Sequence, residues 1–167
     1  MRLFPFALSA ALAATSLATS LHGQRPPAPV DARSLQLLTQ ARAERAAGNL
    51  DAATDTLETA VAVDPRNRDA FLLLAQVEQA RGLPGKAIRL YREALSLGPD
   101  DTAALRGQGE ALVQKGAIAQ AQANLARIRQ LCKTAACPDA TVLAASIAKG
   151  PPVTTAQATT VPTPKAE

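Results

Sequence analysis

The side chains best equipped for chemistry are few: one histidine, His22, and two cysteines, Cys132 and Cys137. A Ser-His-Asp triad or a histidine-ligated metal needs an imidazole as base or ligand, and His22 lies in a stretch that reads as a removable leader. Two thiols also fall short of a four-cysteine zinc set. No catalytic residue, metal ligand or cofactor is therefore assigned, and the chain is not expected to be an enzyme. The cysteines enclose Lys133, Thr134, Ala135 and Ala136. In an exported protein the simplest use of such a pair is a disulfide. A bridge needs Cα atoms within about 7 Å, whereas five residues of straight helix advance roughly 7.5 Å, so a helix must end near Cys132. The alternative is a thiol-disulfide redox or sensor function. Against it stand a spacing that is not Cys-x-x-Cys and the lack of a neighbouring histidine to lower a thiol pKa.

The elements that position these residues emerge from an internal repeat. Gly48, Gly82 and Gly116 recur at intervals of 34 residues, in step with Leu37, Phe71 and Leu105; Ala41, Ala75 and Gly109; Ala53, Ala87 and Ala121; Leu57, Tyr91 and Leu125; and Ala60, Ala94 and Ile128. Pro65 and Pro99 keep the same step, which Lys133 breaks. Each unit reads as two antiparallel helices. In the first unit one runs from Ser34 to Ala47 and stops at Gly48-Asn49; the second, from Leu50 to Val63, carries an apolar stripe of Leu50, Ala53, Leu57, Ala60 and Val61. Asp64-Pro65 and Gly98-Pro99 end second helices, because the residue before proline is pushed out of helical geometry. Asn67 and Asp101 suit the N-caps of the next helices. The small residues in the Ala41 and Ala53 columns let paired helices approach closely, so larger side chains there are predicted to be damaging. With 47% hydrophobic but only 2% aromatic residues, close packing of small side chains replaces a thick aromatic core.

This pattern resembles the tetratricopeptide repeat over residues 34–67, 68–101 and 102–135. It departs where a leading Trp is expected (Leu37, Phe71, Leu105) and where a first-helix Tyr is expected (Glu44, Glu78, Leu112). The resemblance implies an all-α fold: a right-handed α-solenoid of three antiparallel helix pairs. Stacked hairpins need an end cap, and a helix over 138–149, started by Pro138 and stopped by Gly150-Pro151-Pro152, supplies it with Val142, Leu143 and Ile147 turned to the third repeat. The resemblance further implies a concave groove for a protein or peptide partner. Position by position, its lining is Leu35, Leu38, Arg42 and Arg45; Asp69, Leu72, Gln76 and Gln79; and Ala103, Arg106, Glu110 and Val113. Arg42, Arg45 and Arg106 are candidates to grip a carboxylate. Members of the family that clamp chaperone C-termini share a Lys, Asn, Asn, Lys, Arg set, but Leu38, Arg42, Leu73, Ala103 and Gly107 occupy the matching positions, so that clamp is absent.

Arg2 precedes an uncharged, Ala- and Leu-rich run from Leu3 to Leu21, the layout of a signal peptide, placed over 1–24 and directing the chain to the periplasm or outside. Pro5 and several Ser and Thr residues make the run poor as an anchor, so no membrane span is expected after cleavage. A Pro-rich linker occupies 25–31, and residues 150–167 form a tail of Pro, Thr, Val and Ala read as disordered spacer. Losing Arg2 leaves 17 basic against 14 acidic residues. That small, scattered excess, with Phe71 and Tyr91 as the remaining aromatics, excludes nucleic acid as a partner. The sequence thus points to an exported scaffold or adaptor in a bacterial envelope, with a redox protein or a self-assembling solenoid as alternatives. The oligomeric state is not readable from it.

Overall fold

The computed structural model describes residues 29–132 and 137–152. The leader, most of the linker and the tail beyond Pro152 lie outside the described residues, as do Lys133 to Ala136. The order is α1 (Ala32–Ala46), α2 (Leu50–Val63), α3 (Arg68–Ala80), α4 (Pro84–Leu97), α5 (Thr102–Gln114), α6 (Ile118–Leu131) and α7 (Pro138–Lys149). Among the described residues no helix is long and apolar enough to cross a membrane.

Local chemistry explains the boundaries. Gly48, Gly82 and Gly116 all adopt positive φ, between 76° and 81°, so each first helix ends in the left-handed turn that glycine tolerates best. Asn67 and Asp101 cap α3 and α5 by accepting hydrogen bonds from the Ala70 and Ala104 amides at 3.1 and 3.0 Å. The first helix starts two residues before the expected Ser34, because Asp31 caps it by accepting from the Arg33 and Ser34 amides. Ser34 is instead fully buried. Its hydroxyl donates to the Ala60 carbonyl at 2.8 Å and accepts from the Asn67 amide group at 2.8 Å, tying α2 to the start of α3.

Helices pair as α1 with α2, α3 with α4 and α5 with α6, and each pair packs only on its neighbour. The core is correspondingly a chain of clusters. One joins Leu38, Leu57, Leu73, Leu74 and Val77 across the first two repeats, a second centres on Tyr91, and the last two bring α5, α6 and α7 together. Ala41, Ala75, Ala53, Ala87 and Ala121 are all 0% exposed, as close helix approach requires. In α7, Leu143 and Ile147 face the third repeat as expected, joined by Ala140 and Ala144. Val142 does not: it is 46% exposed, because the face set by Ala140, Leu143 and Ile147 leaves its neighbour at 142 turned outward.

Candidate functional site

First helices α1, α3 and α5 stand side by side, with α1 against α3 and α3 against α5. Three depressions cross them. The first, about 570 Å³, is lined by Arg42, Arg45, Ala46, Asp69, Leu72, Leu73 and Gln76. A second, about 370 Å³, shares Arg45 and Gln76 and adds Gln79, Tyr91, Arg106, Glu110 and Gln114. A third, about 600 Å³, shares Gln79 and Gln114 and continues past Val113 to the end of α7. Shared walls make these one track running from α1 to the cap helix.

Eight of the twelve residues transferred from the repeat pattern line the first two depressions: Arg42, Arg45, Asp69, Leu72, Gln76, Gln79, Arg106 and Glu110. Leu35 and Ala103 line none of the three; Leu35 is exposed at 46% on the outer unit. Leu38 and Val113 are the most deeply buried of the twelve. Each is 2% exposed and packs into the core; Leu38 lines none of the three depressions, whereas Val113 reaches only the third.

Electrostatics separate the three arginines. Arg106 pairs within the fold: its Nε donates to Asp139 Oδ1 at 2.9 Å and its Nη1 to Glu110 Oε1 at 3.2 Å, while Thr102 Oγ1 donates to the other Asp139 oxygen at 2.6 Å. Burial disfavours its charge, but Glu110 and Asp139 outweigh that and raise its pKa. It locks α5 to α7 through Nε and Nη1, and it lines the second depression as a partly committed cation. Arg45 donates Nη1 to Gln76 Oε1 at 2.8 Å, and Arg42 is exposed with no hydrogen-bond partner among the described residues. Cationic capacity therefore sits at the α1 end of the track.

Tyr91 supplies the floor. Its ring is 2% exposed, its hydroxyl donates to Gln79 Oε1 at 3.1 Å, and burial, with Glu110 nearby, pushes its pKa far up, so it stays a neutral donor. The ring lies against Gly107, where an added Cβ would meet the Tyr91 hydroxyl at 2.5 Å. With the Gln76 and Gln79 oxygens both occupied from within the protein, their amide nitrogens are the free ends of those side chains.

The sequence reading missed one buried ion. Glu78, at a position where the repeat pattern has Tyr, is 0% exposed. It accepts from Lys86 Nζ at 3.0 Å, Arg81 Nη1 at 3.1 Å and Thr54 Oγ1 at 3.3 Å. The three partners flank it on α2, α4 and the end of α3. Only the cation-rich spacing Glu78, Arg81, Lys86 hinted at it. Elsewhere, Cys132 and Cys137 bring their sulfurs to disulfide-bonding distance with Cα atoms 5.9 Å apart, and α6 ends at Leu131, as bridging demands. Among the described residues no group of three or more His, Cys, Asp or Glu side chains could hold a metal.

Stacked helical hairpins with an open track across their first helices define a helical-repeat solenoid. The tetratricopeptide repeat profile matches residues 38–101 and again 72–136, over half of the chain, and the chain belongs to the tetratricopeptide repeat family. No curated protein sequence matches it. Among solved structures it is similar to the first TPR of Spaghetti (RPAP3) bound to the HSP90 peptide SRMEEVD, at 21% identity and TM-score 0.65, covering 72% of this chain and 94% of that one. It is also similar to the Yersinia enterocolitica type III secretion chaperone SycD in complex with a peptide of the translocator YopD, at 22% identity and TM-score 0.62, covering 73% and 92%. The first TPR domain of human RPAP3 gives 19% identity and TM-score 0.62, covering 70% and 94%. At these identities the likeness establishes the fold.

Proposed function

We propose that the protein is an exported scaffold that holds an extended segment of a partner protein in the track across α1, α3 and α5, in the bacterial cell envelope. The observation that carries this reading is the alignment of three connected depressions with exposed Arg42 and Arg45 at one end and the Gln76 and Gln79 amides along the middle. Amides suit a peptide backbone, and the arginines suit an acidic side chain at the α1 end. The leader sequence supports the compartment. Two similar folds were solved with peptides, which supports the ligand class. The recognition differs from the chaperone clamp, since Leu38 is buried and Gly107 lies beneath the Tyr91 ring.

Photo-crosslinking in cells from a reactive residue at Gln76, read by mass spectrometry, tests the proposal. Recovery of an envelope protein that competes with a track substitution is the expected result; nothing above background would overturn it.

A further inference from the structure

The chain leaves its cap helix at the mouth of the track. Beyond Lys149, Gly150 turns with φ +75°, and Gly150, Pro151 and Pro152 line the 600 Å³ depression together with Gln79, Gly82, Pro84, Val113 and Gln114. The chain is then uncharged from Val153 to Pro164, followed by Lys165, Ala166 and Glu167.

We propose that residues 153–167 are an occupant of the track in cis, lying across α5, α3 and α1 and competing with the partner segment. Four observations converge. The exit point already shares a depression with two track residues, Gln79 and Gln114. The Gln76 and Gln79 amide nitrogens have no acceptor among the described residues, and a segment with Pro162 and Pro164 offers carbonyls while lacking donors at those prolines. The uncharged part meets the amide-lined middle, while Glu167 follows it as an acid for Arg42 and Arg45. Length agrees as well: at about 3.1 Å per residue, Val153 to Pro164 reach roughly 37 Å, more than the two interhelix steps of about 10 Å each that separate α5 from α1.

This rests on reading the track as a peptide site, and the test separates the two. The full chain is compared with one stopped after Pro152, which retains all of α7 and must show an unchanged helical signal, while its melting midpoint falls by a few degrees and recovers when the synthetic 153–167 peptide is added. In ¹⁵N spectra the side-chain amides of Gln76, Gln79 and Gln114 shift on truncation and return when a synthetic 153–167 peptide is added. That peptide binds the truncated chain about tenfold or more tightly than the full chain. The full-chain amide positions hold through a tenfold dilution. Identical spectra, or equal peptide affinity for the two chains, overturn the proposal; so does a shift lost on dilution, which would assign the occupant to a second copy. In the crosslinking experiment, partner capture rises in the truncated chain. Equal capture by both chains overturns the cis occupant and leaves the scaffold standing, whereas no capture by either overturns the scaffold itself.

Discussion

Leu143 of the cap helix closes over Gly109 of α5: a Cβ on that glycine would lie 2.6 Å from each leucine methyl carbon. Leu143 is fully buried and has no room to retreat. The smallest residue in the Ala41, Ala75, Gly109 column thus stands where the solenoid stops and its cap begins. Gly109→Ala is expected to cost about 1–3 kcal/mol through overpacking, despite the better helix propensity of alanine. Urea unfolding measures it, and pairing the change with Leu143→Ala should recover part of the loss. A stabilised single variant would show that the cap can shift.

Asp64 links stability to pH. Its carboxylate accepts from the Arg66 side chain and from the backbone amides of Asp31 and Arg66, which hold its pKa at about 2 against an ordinary 3.8. Because the folded protein releases this proton more readily than the unfolded chain, the stabilisation is complete above roughly pH 4 and is lost as pH falls through about 2. Melting curves of the native chain should drop more steeply over that interval than those of Asp64→Asn. Parallel curves would contradict the assignment.

Glu78 and Glu58 share Lys86, at 3.0 and 2.9 Å, but differ in burial. Their hydrogen bonds, Glu58's first and then Glu78's, raise the Lys86 pKa. Glu78→Ala removes the acceptor that Thr54, Arg81 and Lys86 share, although Thr54 keeps the Leu50 carbonyl and Arg81 keeps Asp51, and should cost about 2 kcal/mol, short of a wholly buried pair because both cations reach solvent. Glu58→Ala, at an exposed pair, should cost below about 0.5 kcal/mol. Denaturant midpoints of the two variants decide whether burial sets the ranking.

If Cys132 and Cys137 are bridged, intact mass under non-reducing conditions shows the oxidised form, and replacing both by serine costs about 2 kcal/mol for so short a loop. Partner capture stays unchanged, since neither cysteine lines the track. A bridge opened by mild reductant, with capture lost in the double variant, would favour the redox reading.

The arginines should divide by partner. Arg42→Glu with Arg45→Glu lowers capture at least about tenfold by placing like charge before an acidic ligand, with little change in melting. Arg106→Ala acts on the fold, releasing Asp139 and Glu110 and costing about 1 kcal/mol. Melting curves beside crosslink yields separate the two effects.

Much of the fold is legible in one dimension because it is built from local devices repeated every 34 residues. Turn glycines, Asn67 and Asp101 caps, proline stops and the alanine columns each act within a turn or two of their own position. The track is legible only in part. Three links, the Asp31 backbone amide to the Asp64 carboxylate and the side-chain pairs Ser34 to Asn67 and Arg106 to Asp139, each join residues 33 apart, one short of the repeat. Such partners are chosen by how one hairpin stacks on the next, and no helical periodicity encodes that choice. The sequence by itself determined the hairpins, their number and the placing of Arg42, Arg45, Gln76 and Gln79 on first helices. Only the stacking of those hairpins decided that Leu38 and Val113 are core, that Glu78 is a buried ion and that Arg106 pairs with Asp139, because burial and ion pairing depend on what the neighbouring repeat brings to the same surface.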